Sequence, residues 1–461
     1  MPFPYLFRLL SVLFAVTSLS VASYTKRNLN DLGAKPVHVH LSYGSTVNDI
    51  VVTWVTASST RKSAVLYGIN GLINRAEGKE LEFRHSNTRV SYIHTALLPN
   101  LEPNTTYEYQ CGCEYGWSDV FHFHTPPNGN NWSPSFAIYG DMGYENAQVL
   151  PYLIEDVKRG MYDTFFHVGD MAYNFDSNEG RVGDAFMESI EPIAAYTPYM
   201  TVVGNHEEYN NFSDYRYRFT MPGDTQGIFY SINIGPVHFV IVSTEVYYFY
   251  KYYGTFGIDQ QLKWLHKDLQ EAAAPENRKL RPWIITMGHR PMYCSTLAHD
   301  EECKSVTDVV RVGFPFKNNG LEKIFYKYGV DIEIWGHEHN YERSWPLFDY
   351  KIFNGSNKNP FHNPGGPIHV TTGAAGSKEK FDPFEVQLRN WTAFRSDDYS
   401  YTRMKVFNAT HIFFEQISAN KSGNPIDNFW VIKDYNSVYP KRPKLKNYLT
   451  NGVFTSFNSI L

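Results

Sequence analysis

Five short segments carry side chains able to hold cations. They are Asp141-Met142-Gly143, Gly169-Asp170-Met171-Ala172-Tyr173, Gly204-Asn205-His206-Glu207, Gly288-His289 and Gly336-His337-Glu338-His339. Carboxylates, imidazoles, a carboxamide and a phenol are ligands for hard and borderline cations. Seven such groups exceed what one tetrahedral ion needs. Two ions about 3.5–4 Å apart would use them, with one carboxylate bridging. Tyr173 narrows the choice of metal. A phenol titrates near 10, so only a strongly Lewis-acidic ion holds it as phenolate at acidic pH. Ferric iron is the natural candidate, with a divalent ion beside it. The glycines let the backbone turn sharply and bring the neighbouring side chain toward the metals.

The elements that must position these groups are legible around them. Ser135–Gly140 is a short apolar run ending at Asp141, and Thr164–Gly169 ends at Asp170. Pro198–Gly204 ends at Asn205-His206, Trp283–Gly288 at His289, and Asp331–Gly336 at His337. Glu145–Gly160 carries helical spacing. Strands alternating with helices predict an α/β or layered α/β/α domain. Ligands in such folds sit beyond the carboxyl ends of the strands, so five strands ending in ligand types point to one shared site. Residues 36–125 read differently. Pro36–Ser42, Asp49–Thr56, Arg89–Leu98, Thr105–Cys111 and Val120–Thr125 alternate apolar and polar residues between Gly, Asn or Pro turns, as in a β-sandwich. Trp54 is its expected core tryptophan. His38, His40, His122 and His124 are expected to be solvated strand histidines. Pro126–Pro134 reads as a linker.

The whole chain is consistent with an exported globular protein. Of 461 residues, 43% are hydrophobic and 19% charged, which excludes a disordered chain. The net charge of −5 implies no basic face for nucleic acid. Residues 1–23 read as a signal peptide: Arg8, the apolar run Leu9–Leu19, then small residues at Ser20-Val21-Ala22-Ser23. That run is too short to span a bilayer. Asn-x-Ser/Thr acceptor sites begin at Asn104, Asn131, Asn211, Asn354, Asn390, Asn408 and Asn420. Secretion or lysosomal delivery is therefore expected, and disulfides are permitted. Cys294 and Cys303 are expected to pair, while Cys111 and Cys113 stay open. The Tyr247–Tyr253 run either lines the entrance to the site or forms an aromatic surface. The tail from residue 435, with Lys441, Arg442, Lys444 and Lys446, reads as solvated.

The five blocks in order resemble those of the purple acid phosphatases, in the calcineurin-like metallophosphoesterase superfamily. The resemblance extends over nearly the whole mature chain, including Arg395-Ser396-Asp397-Asp398-Tyr399 and Asp427-Asn428-Phe429-Trp430. Leu101–Tyr107 is similar to the tyrosine corner of fibronectin type III domains. The resemblance implies such a sandwich over 34–126, then a four-layer α/β/β/α metallophosphoesterase domain over 134–434. It implies that Asp141, Tyr173 and His339 hold Fe(III), that Asn205, His289 and His337 hold a divalent Zn, Fe or Mn, and that Asp170 bridges. The reaction implied is hydrolysis of small phosphate monoesters by a metal-bound hydroxide. His206 would orient substrate or protonate the leaving group, and His299 resembles the family's second substrate-facing histidine region. A homodimer is a further implication. Thr286 stands where the family has Val, beside the site and not among its ligands. The rival readings are a metallophosphodiesterase or nucleotide pyrophosphatase, and a glycosylated, metal-carrying binding protein.

Overall fold

The computed structural model describes residues 33–296, 307–315, 317 and 319–434. The expected signal peptide, the tail, His299 and Cys303 lie outside the described residues. Cys111 and Cys113 are free and buried.

The N-terminal strands form one continuous eight-stranded set among the described residues. Its continuity rests on the eleven-residue strand Asn74–Arg84. The first part of that strand pairs with Ala64–Gly68, and the rest with Val90–Leu98. It thus belongs to both faces of the sandwich. Its polar, mostly exposed sequence gave no alternation by which to expect it. Trp54 is buried and stacks on His94. The Tyr107 hydroxyl accepts the Glu102 amide at 2.9 Å, closing the corner to which Leu101–Tyr107 is similar.

Two of the four strand histidines depart from expectation. His122 and His124 are exposed, but His38 and His40 are buried. Their strand, Val37–Tyr43, lies against the helix Arg181–Ala194 of the second domain, and the Val39 amide donates to Glu191 at 2.9 Å. Both His40 ring nitrogens face carbonyls, of His38 at 2.8 Å and Arg218 at 2.9 Å. A neutral ring donates to one of them. The face that alternation marks as outward is therefore a domain interface.

The second domain has a six-stranded and a seven-stranded sheet among the described residues. In the first, Ser135–Tyr139, Thr164–Val168 and Tyr199–Val202 run parallel. In the second, Val237–Ile241, Trp283–Met287, Ile332–Trp335 and Ile368–Thr372 run parallel. Strand alternation explains the layering. Phe166 points inward and meets Phe239 of the other sheet, with centroids 4.8 Å apart. Its neighbour His167 points outward to Phe186 of the helix Arg181–Ala194. In the second sheet Ile285 joins the inter-sheet core, whereas Ile284 joins a second core under the helices Phe256–Ala272 and Glu322–Tyr328. Ile258, Gln261, Leu265, Leu269 and Ala272 form the buried stripe of the longer helix, three or four residues apart as a helix requires. The result is α/β/β/α, and the parallel strands of both sheets end at one rim. None of the described helices is long and apolar enough to cross a membrane.

Candidate metal centre

The first sheet delivers Asp141, Asp170 and Asn205 two or three residues beyond its parallel strands. The second delivers His289 and His337 likewise, with His339 two residues further on. Four of these positions require unusual backbone. Asp141, Asp170, Tyr173 and His337 have φ of 61°, 49°, 57° and 70°. Left-handed backbone costs a non-glycine residue about 1–2 kcal/mol. Such strain persists where the surrounding structure imposes it, and it gathers at functional sites. Gly336 shows how tight the turns are: a Cβ there would lie 2.7 Å from Asp141 Oδ2.

The side chains converge in two groups. In one, His289 Nε2 lies 3.2 Å from Asp170 Oδ2 and 3.1 Å from Asn205 Oδ1. Asp170, His289 and His337 have ligand atoms within 4.8 Å of one another. In the other, the Tyr173 hydroxyl is 2.9 Å from His339 Nε2, which is 3.6 Å from Asp141 Oδ1. The outer contacts fix which nitrogens face inward. Nδ1–H of His289 donates to the Val168 carbonyl at 2.9 Å, and Nδ1–H of His339 to the Lys380 carbonyl at 2.8 Å. Both Nε2 atoms are left as lone-pair ligands, as metal-binding histidines need. Arg290, itself ion-paired with Glu245, donates to His337 Nε2 at 2.9 Å.

The electrostatics describe a site short of positive charge. Burial pushes the Asp141 carboxyl up to about 6. Burial presses the His289 and His339 imidazoles down, but the facing carboxylates overcome it and hold them at about 10 and about 9. Burial also raises the Asp170 carboxyl, yet His289 and His206 outweigh it and hold it well below its ordinary range. Burial, then Arg290, drives His337 well below its ordinary value. Burial, with Asp141 and Asp170 nearby, drives the Tyr173 phenol well above 10. Asp141 Oδ1 is buried with no hydrogen-bond partner among the described residues. A buried carboxylate oxygen without a donor, among inward-facing imidazole nitrogens, suits a cation. The residues present fit the two ions.

The remaining expected residue, His206, stands at the opening. Its ring lies over Tyr173, with centroids 4.6 Å apart. Nδ1 is bonded to Asn174 Oδ1 at 2.8 Å, while Nε2 is 3.8 Å from Asp170 and 3.7 Å from Glu379. His299 lies outside the described residues.

Several participants escaped the sequence reading. Glu207 is buried, and its carboxylate accepts the amides of Gly204 and Asp170 at 2.9 Å and of Met171 at 3.0 Å. It ties the Asp170 turn to the Asn205 turn. Its place in the Gly204–Glu207 block was the available signal. Arg290 and the Ser377–Asp382 rim had none, since Glu379 and Lys380 look like ordinary surface charges.

Comparison with known proteins agrees with this geometry. The N-terminal domain of purple acid phosphatases matches residues 36–125, the calcineurin-like phosphoesterases match 134–341, and an iron/zinc purple acid phosphatase-like C-terminal region matches 366–428. An acid phosphatase type 7 of Danio rerio is 48% identical over 414 residues, covering 87% of this chain and 92% of its own. The Fe(3+)-Zn(2+) purple acid phosphatase 12 of Arabidopsis thaliana is 29% identical, over 87% of this chain and 85% of its own. The purple acid phosphatase of yellow lupin (Lupinus luteus) seeds superposes with a TM-score of 0.73 at 26% identity, over 92% of this chain and 78% of its own. Likeness running through the sandwich, the two-sheet domain and the C-terminal strands alike places this chain in the purple acid phosphatase family, as an acid phosphatase.

Proposed function

We propose that the chain hydrolyses phosphate monoesters at a binuclear Fe(III)–divalent centre. Asp141, Tyr173 and His339 hold the ferric ion. Asn205, His289 and His337 hold the divalent ion, which is Zn, Fe or Mn, and Asp170 bridges. The observation that carries this is the buried Tyr173 hydroxyl, 2.9 Å from His339 Nε2. A phenol driven that far above its ordinary range becomes a ligand only beside a strongly Lewis-acidic ion. The name of the Arabidopsis relative, an Fe(3+)-Zn(2+) enzyme, supports the same pair. When bound, the two ions supply Lewis acidity toward water and toward phosphate oxygens.

The chain's own residues do the rest. Glu207 holds the two ligand turns at a fixed separation. Asn174 sets the His206 ring so that Nε2 faces the opening. From there His206 orients the phosphate and gives a proton to the departing alcohol. His299 is the second substrate-facing histidine. Secretion or lysosomal delivery is supported by the N-terminal pattern, and by exposure of all seven acceptor asparagines.

The test is the visible spectrum of the exported protein, with metal analysis on the same sample and Tyr173→Phe alongside. Expected are about two metals per chain and a broad band that the variant loses. Phosphate monoesters should be cleaved far faster than diesters. A colourless, active protein with two metals would overturn the ferric assignment.

A further inference from the structure

One acceptor asparagine differs from the other six. Asn211 lies in the wall of a cavity of about 730 Å³, and none of the others lines it. The cavity is a groove between the helix Phe256–Ala272, the loop around Asp224 and the aromatic segment ending at Tyr253. Phe249, Tyr253, Phe256 and Trp264 are among its apolar walls, and Asp224, Gln260, Arg216, Lys263 and Lys267 among its polar groups. Phe256 is 70% exposed, although it faces a pocket of the size that binds small ligands. An aromatic ring left open over such a pocket marks a surface awaiting cover.

The backbone at Asn211 is built to present its side chain. Asn210, Asn211 and Phe212 have φ of 48°, 57° and 61°, a left-handed turn that is costly outside glycine. Tyr253 holds it in place: its hydroxyl accepts the Asn211 amide at 3.0 Å and donates to Glu208 at 2.9 Å. Phe212 is buried against Phe249 and Tyr253. The Asn211 carbonyl oxygen Oδ1 accepts from Arg216 at 3.3 Å. Its Nδ2, the atom to which a sugar is attached, has no partner among the described residues.

We propose that the N-linked glycan on Asn211 folds back into this groove, its first sugars stacked on Phe256 and Trp264. The apolar faces of the sugar rings cover the aromatics, while hydroxyl and acetamide groups bond to Asp224 and Gln260. Tethering at the wall makes the contact intramolecular, which raises effective concentration to roughly the millimolar range. The seated glycan braces the turn Asn210–Phe212, which begins four residues after His206. The inference rests on the secretory reading above.

The experiment uses the full chain from a glycosylating secretory host. An endoglycosidase that cuts the glycan core is applied to native and denatured protein, and each site is followed by mass spectrometry. The Asn211 glycan should be cut at least about tenfold more slowly in the native protein, a margin of about 1.4 kcal/mol; the other six should be trimmed readily. Phe256→Ala removes an exposed ring without opening the core, and should erase the difference. An empty Asn211 beside occupied neighbours overturns the proposal, as does trimming at the common rate. Protection that grows with protein concentration would put a second copy in the groove and equally overturn it. Seven empty sites would sink the secretory reading together with this one.

Discussion

Two buried clusters in this molecule contain the same kinds of residue and behave in opposite ways. At the domain interface, His38, His40 and His85 lie among Asp184, Asp214, Arg89 and Arg218. Arg218 pairs with Asp184 at 3.2 Å and with Asp214 at 3.4 Å, and Arg89 also pairs with Asp184. Each carboxylate has a guanidinium, and burial with those guanidiniums outweighs the pull of Asp184 on the imidazoles. Burial pushes His38 down to about 4 and His85 down to about 3. At the metal centre neither Asp141 nor Asp170 is ion-paired with a guanidinium among the described residues, and His289 and His339 are held up to about 10 and about 9. There, protons stand where cations belong. Histidine and aspartate in company do not define a metal site; a missing internal cation does.

The largest effects should separate the two clusters by kind. Asp170→Asn removes the proposed bridge, and activity should fall on the order of a thousandfold, the several kcal/mol that Lewis-acid stabilisation supplies. The melting temperature of the metal-free protein should fall only modestly, because His289 loses the carboxylate that holds it charged but can shed its proton. Asp184→Ala should do the reverse. It strands the buried Arg89 guanidinium and leaves Arg218 with Asp214 alone, at a cost of about 3–5 kcal/mol, while the surviving folded molecules keep their activity per metal. Denaturant unfolding and steady-state assays on both variants check this. Similar profiles for the two variants would erase the distinction.

A smaller effect concerns pH. His38 titrates at about 4 when folded and near 6.5 when unfolded. Between those values the unfolded chain binds more protons, so this contribution is complete above pH 6.5 and is lost as pH falls toward 4. Its size is at most about 3 kcal/mol. Melting temperatures across that window should decline, and His38→Asn, which tolerates left-handed backbone, should flatten the decline. An unchanged slope would show that the interface does not depend on a neutral ring.

The same contrast explains what could be read from the chain. Most of the proposed ligands were legible because Asp141, Asp170, Asn205, His289 and His337 each lie just beyond an apolar strand, so local sequence carries both the element and its chemistry. The interface was not. His40 meets Arg218, 178 residues away, and alternation on Val37–Tyr43 cannot say whether a second domain covers the outer face. Asn74–Arg84 failed for a related reason: a strand shared by two sheets but largely exposed carries no apolar stripe. Glu207 was in plain view within a block, but its work is to bond three amides in two turns, and only the fold shows that.

The two-sheet origin of the ligands has a consequence for biosynthesis. The first sheet contributes the proposed ligands numbered up to Asn205, and the second those from His289 to His339. A ribosome has therefore released most of the domain before the last ligand exists, and no ion can be gripped by its full set until the sheets have met. Metal content then works as a certificate of completed assembly. A half-loaded molecule would then be more readily a misassembled one than a starved one.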